Sequence, residues 1–210
     1  MSGIIILGAG GHGKVVAEIA GLMGKWDNIA FLDDNSKLKE VSGIPVIGSF
    51  ADTALLKDRY KSAFVAIGDT SIRMRLIDQL SSNGFDIPVL IHPFSCVSKD
   101  CSIGRGSVVM AGVVINPGTV VGNGCIINTS SSIDHDCIVE DGVHISPGAH
   151  IGGTVKIGSN CWICIGASIS NNVTIGDDSI VAAGASVIAD IGKNIMVAGV
   201  PAIEKKKIFK

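Results

Sequence analysis

Residues 133–151 read IDHDCIVEDGVHISPGAHI, with an aliphatic residue at every sixth place: Ile133, Val139, Ile145 and Ile151. The spacing extends back through Ile127, Val121, Ile115, Val109 and Ile103 to Val97. It runs on through Ile157, Ile163, Ile169, Ile175 and Val181 to Val187. All sixteen positions are Ile or Val. Four residues after each comes a small or aliphatic side chain, as at Cys137, Val143, Ala149 and Val155, and glycine or a turn-forming polar residue fills most places between. A period of six fits neither a helix of 3.6 residues per turn nor plain strand alternation. It fits short strands separated by tight corners, a parallel β-helix of hexapeptides. Three hexads close one triangular coil, so residues 18 apart stack. The β-branched side chains point inward, where their stiffness suits a pleated wall. Sixteen hexads predict a prism roughly 25 Å long at about 4.8 Å per coil. A β-sandwich would not hold one register from Val97 to Gly192.

Composition follows from this wall. The 210 residues are 47% hydrophobic, with a mean hydropathy of +0.47. No apolar run approaches the roughly 20 residues needed to span a bilayer. The N-terminus has no basic segment ahead of Ile4-Ile5-Ile6-Leu7, so no signal peptide is expected and the expected location is cytoplasmic. A net charge of −2 offers no basic field to nucleic acid. Of the six cysteines, Cys101, Cys125, Cys137 and Cys161 take the small inward place, where cysteine packs as a compact apolar group. Cys161-x-x-Cys164 has no second pair to complete a zinc site, and no metal is expected.

Ahead of the prism, residues 1–85 predict a βαβαβ unit, about half of a dinucleotide-binding fold. Ile4 to Leu7 is a buried strand, Gly8-Ala9-Gly10-Gly11-His12-Gly13 a loop, and Lys14 to Ala20 a helix. Strand, glycine loop and helix together make a phosphate site, because bare backbone and a helix N-terminus can approach an anion. A plain tight turn is the competing reading of the same glycines. The strand Ile29 to Leu32 ends in Asp33-Asp34, where such units place an acid that meets a ribose or base. Phe50 to Tyr60 reads as helical. The strand Ala63 to Ile67 ends in Gly68. A helix follows over Ser71 to Leu80, with Ile72, Leu76, Ile77 and Leu80 inward. A half-fold suits one nucleotide better than NAD. The candidate nucleotide-sugar ligands are Gly10, Gly11, His12, Asp33, Asp34, Gly68 and Arg73, with Arg73 equally readable as a helix-surface charge. Residues 86–96 form a linker, 97–192 the β-helix, and 193–210 a cap containing a short C-terminal helix and a solvated basic tail.

Within the prism, polar residues gather at Asn128-Thr129-Ser130-Ser131-Ser132 and Asp134-His135-Asp136. His135 occupies a corner, where it is either a catalytic base or an exposed polar residue. Asp136 could orient its ring, with Asp134 as a second candidate. Gly153 lies 18 residues on, in the same corner column, where its N–H could hold a carbonyl. His150 has no evident role.

These motifs together resemble those of the bacterial sugar acyltransferases. That group includes nucleotide-amino-sugar N-acetyltransferases of the bacillosamine and perosamine type, and sialic-acid O-acetyltransferases. The resemblance covers nearly the whole chain. It implies a left-handed coil, an exception to the usual right-handed crossover. It also implies a homotrimer with acetyl-CoA in the groove between prisms, and direct transfer without an acyl-enzyme. By position, His135 matches the base and Asp136 the acid beside it, a glutamate in the relative compared. The resemblance further implies that His144 lies near the acetyl group and that Gly153 N–H binds the thioester carbonyl. The acceptor implied is the 4-amino group of a nucleotide-linked sugar, probed first as UDP-linked. A sugar hydroxyl and a non-enzymatic scaffold are the alternatives.

Overall fold

The computed structural model describes residues 3–208 and divides into two compact units, one ending at Pro93 and one starting at Phe94.

In the first unit, strand β1 (Gly3–Leu7) lies between β2 (Asn28–Leu32) and a later strand, all parallel. Burial on both faces explains the unbroken apolar run Ile4-Ile5-Ile6-Leu7, each at most 1% exposed. Helix α1 (Gly11–Met23) starts three residues before the expected Lys14. Gly10 is its N-cap, and packing of Val16, Ile19 and Ala20 outweighs the poor helix propensity of Gly11 and Gly13. After β2 comes a small hairpin of β3 (Glu40–Val41) and β4 (Ile44–Pro45). The expected helix from Phe50 to Tyr60 is a 3₁₀ segment, Phe50–Leu56, started by a capping box of Ser49 and Asp52. Tyr60 leaves it to enter the core at 2% exposure. Strand β5 (Ser62–Val65) completes the sheet in the order β2-β1-β5.

Helix α2 (Thr70–Ser82) is capped by Asp69, whose carboxylate accepts from Ile72 N–H at 2.9 Å. It buries Leu76, Ile77 and Leu80 as expected, but Ile72 is 40% exposed and Arg73 takes the inward place at 1%. Guanidinium NH groups on Arg73 find the carbonyls of Ile67 and Gly68, so the charge is bonded where Ile72 would only have filled space. Arg73 is therefore not a surface charge. Part of the expected linker also belongs to this unit. Asp86 bridges to Ser62, and Ile87 and Leu90 are buried.

The second unit is the predicted solenoid. Two-residue strands recur every six residues and pair in parallel with partners 18 residues away, as Ile115 with Ile133 and Ile133 with Ile151. They form three sheets. One carries Cys96–Val97, Val114–Ile115, Ser132–Ile133, His150–Ile151, Ser168–Ile169 and Ser186–Val187. The second carries Ser102–Ile103 through Thr174–Ile175, and the third Val108–Val109 through Ile180–Val181. From Val109 to Val187 every hexad aliphatic is buried. The small inward place does more than fill space. Cys101, Cys125, Cys137 and Cys161 each donate S–H to a corner carbonyl 15 residues on, at 3.0–3.1 Å, as Ser107 and Thr119 do with their hydroxyls. Three residues after each aliphatic from Ile103 to Val181, the backbone takes a left-handed conformation. Eight of these fourteen corners are glycine, which bears that conformation without a Cβ penalty. The rest include Ser130, Asp136 and the β-branched Thr154.

The expected C-terminal helix does not form among the described residues. Ile195–Ala198 extends the third sheet and turns through Gly199 into an antiparallel strand, Ile203–Lys207. Ile180 pairs with Met196, only 16 residues on, so the hexad register ends here and the hairpin closes the stack. Its edge is lysine-rich, which discourages further strand pairing. Of the basic tail, Phe209 and Lys210 lie outside the described residues.

Candidate active site

His135 sits at the corner between the first and second sheets, two residues after Ile133. Asp136, next to it, is one of the left-handed corners, with φ of 57°. That backbone turn brings the short carboxylate back to its neighbour, and His135 Nδ1 lies 2.8 Å from Asp136 Oδ2. The contact defines the tautomer: Nδ1 carries the hydrogen and Nε2 presents its lone pair. One coil further, Gly153 lies against the ring. A Cβ there would stand 2.7 Å from His135 Nε2, so no larger residue fits without moving the imidazole. Gly153 N–H donates to no acceptor among the described residues, while its neighbour Thr154 N–H holds the His135 carbonyl at 2.9 Å. The column thus offers an imidazole lone pair and an unengaged backbone donor side by side.

Electrostatics favour a strong base. The hydrogen bond that His135 Nδ1–H donates to Asp136 raises the His135 pKa above the ordinary histidine value; desolvation opposes it, and the charges of Asp134 and Asp136 add to it. Asp134 is itself fixed. Its Oδ1 accepts from the Asn116 amide and from His135 N–H, both at 2.8 Å, and these bonds hold its carboxyl below the usual range. Asn116 is a contributor that hexad counting passes over, although it lies 18 residues before Asp134.

His144 stands on the third sheet, the side of the triangle opposite the His135 corner. The two histidines therefore do not meet within one chain. His144 Nε2 lies 3.2 Å from Asn128 Nδ2, and its ring stacks on Trp162 with centroids 6.0 Å apart and planes at 8°. Trp162 is held in turn by a bond from Nε1 to Ser146 Oγ at 2.8 Å. His150 bonds Ser132 Oγ through Nδ1 at 2.8 Å on the outer face of the first sheet. It lines a groove of about 330 Å³ with Asn116, Ser132, Asp134, Gly152 and Ser168.

Neither Cys137 nor Cys161 offers an alternative nucleophile. Cys137, two residues from His135, is buried with its S–H directed to the Gly152 carbonyl, and burial raises its pKa. Burial pushes Cys161 up to about 12. A thiolate forms in neither place near neutral pH. Among the described residues, no group of three or more His, Cys, Asp or Glu is placed to hold a metal ion.

In the first unit, the glycine loop and the ends of β1, β2 and β5 come together. Gly10, Gly11 and Gly68 have nothing within 4 Å of where a Cβ would stand, leaving bare backbone open. Gly13 serves packing instead, since a Cβ there would overlap the Gly8 carbonyl. Asp33 braces the loop, accepting from Ala9 N–H at 2.8 Å, and Asp34 accepts from Phe50 N–H at 3.0 Å. Both border a groove of about 270 Å³ with Ser36, Lys39, Gly48 and Ser49. His12 is kept neutral: burial first, and then the Arg73 charge, lower its pKa to about 4. Its Nε2 is buried with no hydrogen-bond partner among the described residues, an unmet polar atom in the first turn of α1.

Comparison with known proteins agrees with both units. Residues 3–80 match the PglD N-terminal domain family, and residues 154–189 match the bacterial transferase hexapeptide (six repeats) family. UDP-N-acetylbacillosamine N-acetyltransferase of Bacillus subtilis (strain 168) is 36% identical over 113 residues, which span 53% of this chain and about half, 52%, of that protein. GDP-perosamine N-acetyltransferase of Escherichia coli O157:H7 is 31% identical over 165 residues, 75% of this chain and 73% of that one. Among solved structures, the acetyltransferase domain of PglB from Neisseria gonorrhoeae FA1090 in complex with acetyl coenzyme A superposes with a TM-score of 0.94. It is 42% identical over 97% of this chain and 98% of that chain. PerB from Caulobacter crescentus in complex with CoA and GDP-perosamine gives 0.91, with 35% identity over 98% of each. The chain belongs to the family of hexapeptide-repeat sugar N-acetyltransferases, built from a PglD-type N-terminal domain and a left-handed parallel β-helix.

Proposed function

We propose that this chain transfers the acetyl group of acetyl-CoA to the 4-amino group of a nucleotide-linked amino sugar, with UDP as the nucleotide. The observation that carries the reading is the His135–Asp136 pair set against Gly153, in a chain that superposes along almost its whole length on a structure bound to acetyl coenzyme A. The names of the relatives, which act on UDP-linked and GDP-linked amino sugars, support the acceptor class.

The chemistry follows from the geometry. The sugar amine attacks the thioester carbonyl carbon, and His135 Nε2 takes the amine proton as the C–N bond forms. Asp136 keeps Nδ1 protonated and stabilises the imidazolium. Negative charge gathers on the thioester oxygen, where Gly153 N–H is a donor. Collapse breaks the C–S bond, and His135 returns the proton to the departing CoA sulfur. No acyl-enzyme is required. His144, across the prism, serves a site with a neighbouring chain, which is the reason for proposing a trimer with three shared pockets. In the first unit, Gly10, Gly11, His12 and Gly68 line the site for the nucleotide diphosphate, with Asp33 and Asp34 at its far side and Arg73 behind it. Both co-substrates are cytoplasmic metabolites, so the reaction is placed there.

The test is thiol release from acetyl-CoA with a panel of UDP-, GDP- and dTDP-linked 4-amino sugars, and with free and CMP-linked sialic acid. Transfer to an amino sugar is the expected result. Transfer to sialic acid alone would overturn the amine assignment. His135→Ala should lower kcat/KM about a hundredfold or more. Wild-type turnover by that variant would remove the mechanism.

A further inference from the structure

The base at His135 depends on a carboxylate that the fold must hold in one place, and the corner column shows how it is held. Residues 118, 136, 154 and 172 stack at 18-residue spacing, and all four take left-handed backbone. Above Asp136 lies Thr154, whose hydroxyl donates to Asn172 Oδ1 at 2.6 Å. Below it lies Gly118, with φ of 75°. A Cβ built on Gly118 would overlap Asp136 Oδ1. The backbone on either side cannot yield, because Gly118 N–H is bonded to the Asp100 carbonyl at 3.1 Å and Asp136 N–H to the Pro117 carbonyl at 3.0 Å. The carboxylate would have to turn, and its two oxygens turn together. Displacing Oδ1 carries Oδ2 away from His135 Nδ1.

We infer that Gly118 is a positioning residue for the catalytic pair: its missing side chain is the space in which the Asp136 carboxylate lies while it holds His135. The glycine is thus required twice, for its backbone conformation and for the room it leaves. Other corners separate the two requirements. Gly184 has the same left-handed backbone, φ 66°, with nothing within 4 Å of a Cβ. Gly118 and Gly153 thereby frame the dyad, one clearing the acid from below and the other clearing the ring from above. This inference rests on the reading of His135 as the base. The charged groups that face its ring are Asp136 and Asp134.

The experiment compares Gly118→Ala, Gly184→Ala and Asp136→Asn in the full chain. Each is read by NMR titration of the His135 ring and by the pH profile of kcat/KM. Gly184→Ala carries the cost of alanine in left-handed backbone without the clash, and should leave the His135 titration as in wild type. Gly118→Ala should move it downward, toward that of Asp136→Asn. The acidic limb of the rate profile should follow, with KM for acetyl-CoA little changed. If alanine at 118 weakens the fold, Gly118→Asn tolerates the left-handed backbone, keeps a Cβ, and should show the same displacement. An unchanged His135 titration in a folded Gly118 variant overturns the inference. A displaced titration with an unaltered rate profile leaves the positioning intact and instead refutes the base assignment.

Discussion

At His135, two neighbours within one hexad decide what the imidazole can do. Asp136 supplies the hydrogen-bond acceptor at Nδ1, and Asp134, pinned by Asn116, supplies a second negative charge. Both raise the pKa, so the ring holds its proton to higher pH than an ordinary histidine. The sign for catalysis follows directly. A base works only when unprotonated, so the acidic limb of kcat/KM should lie above the ordinary value near 6.5 and activity should fall as pH drops through it. Asp136→Asn removes one charge and weakens the bond. Its limb should shift to lower pH while the plateau falls, because the less basic and less firmly oriented ring is a poorer proton acceptor. A pH-rate profile checks both parts. A limb that stays in place would mean that Asp136 is not the group tuning His135.

At the scale of the element, a hexad is held by an inward aliphatic, a hydrogen-bonding or small residue beneath it, and a left-handed corner. Ile163 shows the first of these, fully buried and stacked between Ile145 and Val181. Truncation to alanine leaves a void that a short, fully paired strand cannot close. Ile163→Ala should cost about 2–5 kcal/mol in chemical denaturation of the prism, read by Trp162 fluorescence. A loss below about 1 kcal/mol would show that the stack relaxes into the gap. The stack is also where the sequence was most legible. A spacing of 18 is arithmetic, so the inward wall and the nearness of His135 to Gly153 follow from counting. The same count places Trp162 over His144, but rules for inward positions pass over two outward residues. What counting does not see is direction and satisfaction. Arg73 turns inward because two carbonyls at the end of β5 need donors, and apolar periodicity carries no such information. Ile195-Met196-Val197-Ala198 is an apolar run too short for periodicity to tell strand from helix, and the open sheet edge beside it decided for strand. The first unit was legible as a glycine loop and strand ends. The bracing of that loop by Asp33 depends on a contact across 24 residues that no local pattern encodes.

For the whole molecule, the triangular section sets a condition on the site. His135 lies at one corner and His144 on the opposite side, so one prism cannot bring both to a single thioester. If both serve one acetyl group, the pocket is built from two chains, and a closed ring of three gives three such pockets. Complementation separates this from a site within one chain. The His135→Ala and His144→Ala variants should each be nearly inactive. Co-expressed in equal amounts, they assemble at random, and a pocket is whole only where an intact His135 meets an intact His144 on the next chain. That condition holds for about a quarter of the pockets in a randomly mixed ring. Thiol release by the mixed preparation should therefore recover to about that fraction of wild type. A mixture no more active than two inactive parents would overturn the two-chain pocket, and a fully active His144→Ala parent would leave His144 outside the chemistry. Sedimentation of the same preparation as a monomer would dispose of the shared pocket altogether.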